Sequence, residues 1–166
     1  MSEKIHIGTL IRSKLDENQR SIAWLAQKVH RDKSALAKML KKYSMETKLL
    51  FDISHALQFD FFYCYSKNLM FPGMRHPFWF NHAESEHPES AHEKQTEIDI
   101  GTLIRDKLVE NQRSVAWLAQ KTGHNRGSLG RLLKKDSMDT KLLSDISTIL
   151  RFDFFFRYSE SLCNIN

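Results

Sequence analysis

The stretch IHIGTLIR at residues 5–12 returns as IDIGTLIR at residues 98–105, an offset of 93 positions. Extending the comparison pairs residues 5–69 with residues 98–162 without a gap, and 41 of these 65 pairs are identical. Agreement over such a length indicates a tandem duplication, which length alone would not have predicted. We name residues 5–69 copy one and residues 98–162 copy two.

Each copy carries five short apolar patterns at helical spacing. In copy one the first pattern runs from Ile7 to Leu15, the second follows Ser21 and the third follows Asp32, and Ser and Asp are favoured N-cap residues. The fourth and fifth patterns place these apolar residues on one face: Leu49, Leu50, Ile53 and Leu57, then Phe61, Phe62, Tyr65 and Leu69. With 19 Leu against 3 Val and no alternating pattern, the sequence predicts an all-α fold of two tandem five-helix domains.

The two copies are separated by residues 70–97, which contain all three prolines. We therefore expect domains at 1–69 and 98–166 and a linker at 70–97. Four aromatic residues make the first half of the linker too apolar for a free tether, and docking on a copy is favoured over a protein-binding role: Phe71, Phe78, Trp79 and Phe80. The linker histidines, His76, His82, His87 and His92, fit no closed metal site, so no metal or cofactor is expected.

Composition narrows the class of protein without naming a partner. The net charge of +5 arises from +5 in copy one, +3 in copy two and −3 in the linker, so the positive charge lies on the copies. No apolar run is long enough for a membrane span, and the N-terminus lacks the apolar core of a signal peptide. The 2 cysteines are too few for a disulfide framework, which predicts a cytoplasmic location.

Divergence between the copies is concentrated in one segment. Ten of the eleven positions in 29–39 differ from their counterparts in 122–132, whereas only 14 of the other 54 positions differ. The apolar positions keep their character, and the changes fall on the turn and on the outward face of the third helix. Drift on a solvated surface is one explanation. Functional divergence is favoured, because the first and fourth helices also have solvated faces and drifted little.

These residues carry a family resemblance. LAQKV at residues 25–29, a short turn, and a helix with Leu36 and Met39 resemble the helix-turn-helix of the phage repressor and Cro (XRE-type) DNA-binding proteins. Copy two repeats the pattern with LAQKTG at residues 118–123. Gly123 matches the usual turn glycine of the family, whereas His30 departs from it, so the turn of copy one is expected to be strained or differently shaped.

The resemblance implies which residues contact DNA. The N-terminal part of the third helix reaches base edges in the major groove, and by carry-over the base-reading residues are Lys33, Ser34, Lys38, Arg126, Gly127 and Arg131. Backbone contacts are assigned to Gln27, Lys41, Lys42, Lys48, Gln120, Lys134, Lys135 and Lys141. Gly127 and Gly130 weaken the helix of copy two, which would leave it loose or serving mainly as a pairing partner.

The expected function is sequence-specific binding of double-stranded DNA by a repressor-like bacterial transcription regulator. Family members bind as homodimers, so we expect the two copies to pair within one chain, with a homodimer left open. The aromatic fifth helices would meet at a pseudo-two-fold contact, although packing within each copy is the alternative. A flexible 28-residue linker spans roughly 29 Å, comparable with one DNA turn.

A binding module without DNA, such as a protein-interaction or antitoxin-like module, is the alternative function. An enzyme is not expected, because no catalytic pattern repeats between the copies: Cys64 becomes Arg157 and His55 becomes Thr148. Trp24 and Trp117 are predicted to be core or partly covered residues rather than base-stacking ones.

Overall fold

The computed structural model of the chain describes residues 5–69 and 98–163. Within those ranges every regular element is a helix and no strand occurs, so the predicted all-α class is confirmed. The helices are α1 (Ile7–Glu17), α2 (Ile22–Lys28), α3 (Lys33–Met39), α4 (Thr47–Leu57), α5 (Phe61–Asn68), α6 (Ile100–Glu110), α7 (Val115–Thr122), α8 (Arg126–Leu132), α9 (Thr140–Leu150) and α10 (Phe156–Cys163). The expectations for the linker aromatics and histidines lie outside the described residues.

Three helices of copy one begin at side chains that accept hydrogen bonds from their free backbone N–H groups. Ser21 Oγ accepts from Trp24 N at 3.1 Å, and Asp32 Oδ1 accepts from Ala35 N at 2.9 Å. Asp60 Oδ1 accepts from Phe62 N at 2.9 Å and from Tyr63 N at 3.1 Å. The caps predicted for the second and third helices are therefore present, and Asp60 caps the fifth.

Each copy buries the apolar faces of its five helices. In copy one Ile11, Leu25, Leu36 and Ile53 are fully buried, and their counterparts in copy two are buried to the same degree. Leu10 is an exception, since it carries the helical spacing of the buried residues and is nevertheless 37% exposed. This pattern makes the core of each copy a small set of branched and aromatic side chains.

Close contact between α1 and the end of α3 positions α3 within copy one. Gly8 is buried, and a Cβ built on it would overlap the carbonyl oxygen of Leu40. Gly101 has the same relation to the carbonyl oxygen of Leu133 in copy two. Only glycine allows the two backbones to approach so closely.

The two copies contact each other where α4 and α9 begin. Thr47 N donates to Met138 O at 2.8 Å, and Thr140 N donates to Met45 O at 2.9 Å. Both threonine side chains are fully buried, and each hydroxyl accepts two hydrogen bonds from the other copy. Thr140 Oγ1 accepts from Met45 N at 3.2 Å and from Tyr65 Oη at 3.0 Å. Thr47 Oγ1 accepts from Met138 N and from Tyr158 Oη at 3.1 Å each.

Aromatic rings from α5 and the α10 region extend this contact. Phe62 stacks on Tyr158 with ring centroids 4.5 Å apart, and Tyr65 stacks on Phe155 at 4.6 Å. All four residues are almost fully buried. Offset stacks of this kind add to the free energy gained from burial of the rings.

The contacts between the copies are reciprocal. The backbone, threonine, tyrosine and ring contacts recur with the roles of the two copies exchanged, at an offset of 93 positions. The contacts of Lys48 with Asp136 and Ser137 are the exception and have no equivalent at Lys141. Reciprocity of this kind defines a two-fold axis. The axis passes through the antiparallel bridge between Glu46 and Asp139.

Replacing Gly8 by alanine should destabilise the protein by about 1–3 kcal/mol, because the new Cβ forces α1 away from the backbone of Leu40. Urea titration of the full chain measures this free energy of unfolding. Thr9→Ala is the matched control, since Thr9 is exposed on the same helix. Equal stability of the two variants would contradict the close contact.

The tyrosines between the copies should make stability fall at alkaline pH. Burial raises the pKa of Tyr65 and of Tyr158 from 10.0 to about 12. A pKa raised by folding means that the neutral phenol stabilises the folded state fully below pH 10. This contribution is lost between pH 10 and about 12, by up to about 1.4 kcal/mol per pH unit for each tyrosine.

Urea titrations between pH 8 and pH 12 measure this slope, and Tyr65→Phe with Tyr158→Phe should flatten it above pH 10. Tyr43→Phe is the control, because Tyr43 is 63% exposed. An unchanged slope in the double variant would show that the phenols are not buried between the copies.

Candidate functional site

The connection between α2 and α3 and the equivalent connection between α7 and α8 each contain one residue in the left-handed conformation, although their sequences differ. His30 has a φ of 51° and Gly123 a φ of 70°, so both adopt the left-handed conformation. Histidine there costs about 1–2 kcal/mol more than glycine would. The structure therefore shows a turn in copy one that is strained, and it has the same left-handed geometry as the turn in copy two.

The segment in which the copies diverge lies mostly on the surface, although Val29 at its start is buried. Leu36 and Leu129, the one identical pair, are fully buried beneath α3 and α8. The predicted base-reading residues are all exposed: Lys33, Ser34, Lys38, Arg126, Gly127 and Arg131. Between them these positions present cations and small side chains, and α8 has no acidic residue. The two copies thus share a buried frame and present different outward faces.

The cations on and just after α3 and α8 lack acidic partners. Among residues 5–69 and 98–163, no carboxylate oxygen lies within 4.0 Å of these side chains: Lys33, Lys38, Lys41, Lys42, Arg126, Arg131, Lys134 and Lys135. The ion pairs of the same ranges use cations of other elements: Lys14, Lys48, Lys107, Lys141 and Arg157. The two helices therefore concentrate positive charge that the described protein does not neutralise.

Two lysines predicted to contact the DNA backbone take part in ion pairs. Lys48 Nζ lies 2.8 Å from Asp136 Oδ2 of the other copy, and its hydrogen bond and charge lower the pKa of that carboxyl. Lys141 Nζ lies 3.0 Å from Asp145 Oδ2 on its own helix. Both lysines stay exposed, as do Gln27 and Gln120 in the last turns of α2 and α7. Lys48 therefore helps to join the copies, a role that its sequence position does not indicate.

The corner where α1 meets the chain after α3 differs in charge between the copies. In copy one the rings of His6 and Tyr43 are 4.3 Å apart, and Tyr43 is largely exposed. Copy two has Asp99 and Asp136 at these positions. Hydrogen bonds from the side chain and backbone of Thr102 lower the pKa of Asp99. Copy two is thus more acidic beside its exposed helix.

The tryptophans of α2 and α7 are partly buried. The guanidinium of Arg20 lies 5.0 Å from the ring centre of Trp24, and that of Arg113 lies at the same distance from Trp117. Both rings pack against the core and carry a cation on their outer side. This placement agrees with the prediction of partly covered residues.

The two-fold relation constrains where α3 and α8 can lie. A two-fold rotation leaves the component of any direction along its axis unchanged. The outward faces of α3 and α8 are therefore inclined to the axis at the same angle and towards the same end of it. Met39 ends α3 six residues before Met45, a span of at most about 22 Å. The end of α3 therefore lies within that distance of the contact between the copies.

The residues that join the copies at their hydrogen bonds were missed by sequence reasoning. Met45, Thr47, Met138 and Thr140 lie in a polar stretch that follows a helix, where an exposed loop is the ordinary expectation. One signal was available, since the pattern SMxT is kept in both copies at 44–47 and 137–140 while its neighbours Tyr43 and Asp136 differ.

Metal ligation has no candidate cluster in the described part of the chain. No group of three His, Cys, Asp or Glu side chains suited to a metal ion occurs within residues 5–69 and 98–163.

In those residues, too, every helix is too short or too polar to cross a membrane. The outward faces of α3 and α8 are the described surface on which the two copies differ most.

Comparisons with family models, with curated proteins and with solved structures found no match to this chain.

Proposed function

We propose that this chain is a sequence-specific double-stranded-DNA-binding protein, a repressor-like transcription regulator of the phage repressor and Cro type. In this proposal α2 and α3, and likewise α7 and α8, form helix-turn-helix units, and the copies act as a covalent pseudo-dimer. The observation that carries the proposal is the set of cations on the exposed faces of two helices related by a two-fold axis, which have no acidic partner among residues 5–69 and 98–163.

The charge and shape of these helices suit the major groove of DNA. An α-helix fits that groove, and side chains on its outward face reach base edges. Lys33 and Lys38 are on such a face of α3, and Arg126 and Arg131 on that of α8. The lysine pairs that follow each helix, at 41–42 and 134–135, would contact phosphates. Each contacted phosphate releases counterions, which favours binding at low salt.

The two-fold relation is compatible with the spacing that DNA requires. Half-sites one turn apart are separated by about 34 Å, so each reading helix must lie about 17 Å from the axis. That distance is within the reach of about 22 Å available between α3 and the contact of the copies. Because α3 and α8 present different side chains, the preferred site is asymmetric.

DNA binding should weaken steeply as salt rises, and removal of the exposed cations should reduce that dependence. Replacing both Lys41 and Lys42 by alanine should lower the slope of log affinity against log salt by about 0.9 for each phosphate that is no longer neutralised. Fluorescence anisotropy with a labelled random-sequence duplex, from 50 to about 300 mM salt, measures the slope.

Lys67→Ala is the charge control, because Lys67 is an exposed lysine on α5. It should leave the slope unchanged. Affinity independent of salt would contradict DNA binding and favour the protein-interaction alternative. A steep slope that loss of Lys41 and Lys42 leaves unchanged would contradict phosphate contacts at these two lysines.

A further inference from the structure

No contact or backbone angle within the described residues requires glycine at positions 127 and 130. Both lie in the helix α8 without a positive φ. A Cβ added at Gly130 would meet nothing within 4 Å, and one at Gly127 would meet only the side-chain oxygen of Asn125 at 3.6 Å. Alanine would fit at both positions and would strengthen the helix. Two of the seven residues of α8 therefore weaken the helix with no benefit to its packing.

The other described glycines contrast with these two. Gly8 and Gly101 permit a backbone contact that any side chain would block, and Gly123 adopts a left-handed conformation. In copy one the positions of Gly127 and Gly130 are occupied by Ser34 and Ala37. Within the described residues the fold gives no reason for glycine on α8, which leaves the surface that α8 presents as the place where a function could require it.

The cations beside these glycines also differ from those of copy one. Arg126 and Arg131 stand where α3 has Lys33 and Lys38. A guanidinium donates two parallel hydrogen bonds to the O6 and N7 atoms of guanine, whereas an ammonium acts as a compact, flexible charge. On chemical grounds α8 is the better reader of bases, whereas the ammonium groups of α3 act as point charges whose contacts depend less on the identity of the base.

The net charges of the two copies also differ. Copy one carries a net charge of +5 and copy two +3. Part of this difference lies at the corner beside the helices, where His6 and Tyr43 of copy one correspond to Asp99 and Asp136 of copy two. Carboxylates weaken the attraction of a surface for phosphates. Asp136 is paired with Lys48 of copy one, so Asp99 is the carboxylate that weakens the field of copy two for the DNA backbone.

We propose that the two copies divide the recognition of DNA. Copy two selects the base sequence through Arg126 and Arg131, and Gly127 and Gly130 let the backbone of α8 approach the base edges closely. Copy one contributes affinity that depends little on sequence, through the lysines on and after α3. This inference rests on the proposed function, since it assigns roles within the same DNA-binding surface.

The double variant Gly127→Ala with Gly130→Ala separates stability from binding. Its melting temperature should rise by a few degrees, because alanine favours the helix. Its affinity for the duplex that wild-type protein selects from a random pool should fall by about 5- to 150-fold, the range for removal of one base-reading interaction. Ser13→Ala is the control, because Ser13 is exposed on α1 and is not among the predicted DNA contacts, and it should leave that affinity unchanged.

Exchanging the cations tests the same division independently. Arg131→Lys should reduce the preference for the selected sequence over random duplex by about 5- to 150-fold, while Lys38→Arg should not reduce it. Selection from the random pool at physiological salt, repeated with each variant, gives the sequence preference.

Three results would overturn the division. The first is a glycine double variant that is more stable and binds with unchanged affinity and sequence preference, because the glycines would then be neutral drift. The second is a reduced sequence preference on changing Ser34 or Lys38 with no reduction on changing Arg131. The third is failure of wild-type protein to enrich any sequence, which removes the proposed function itself and is visible before any variant is made.

Discussion

The buried hydroxyls of Thr47 and Thr140 are the constraint on which the arrangement of the two copies depends. Each hydroxyl accepts a backbone N–H and a tyrosine O–H from the other copy, in a region closed to water. Removal of either acceptor would leave two buried donors unpaired, which costs far more than the hydrogen bonds contribute on their own. The geometry of the contact is therefore narrowly defined.

This contact positions the neighbouring helices of both copies. α4 and α9 begin at the two threonines, and the stacked rings of Phe62 with Tyr158 and Tyr65 with Phe155 close the same surface. Within each copy the close approach of Gly8 to Leu40, or of Gly101 to Leu133, fixes the end of the exposed helix. A frame common to both copies thus carries two helices whose outward residues are free to differ.

The sequence predicted the helices well because the signals are local. Ser21, Asp32 and Asp60 cap helices as their side chains require, and apolar spacing identified the buried faces. The exposure of the divergent segment follows from the same spacing. These features depend on residues within a few positions of one another.

Features that depend on distant residues could not be predicted in the same way. The partner of Lys48 is 88 positions away, and the donors to Thr140 come from residues 75 and 95 positions away. Apart from the SMxT pattern that both copies keep, nothing near Thr47 in the sequence shows that a polar stretch after a helix is buried by its own repeat. At His30 the rest of the fold overrides the local preference, because the histidine adopts a left-handed conformation that its side chain disfavours.

In the proposed complex, one chain places two different reading helices on the same side of a DNA duplex. Hydroxyl-radical footprinting on a duplex selected from a random pool tests this placement. We expect two protected regions on one face of the DNA, about one helical turn apart, with Lys33→Ala weakening protection of one region and Arg126→Ala that of the other. A single protected region, or weakening of the same region in both variants, would contradict it.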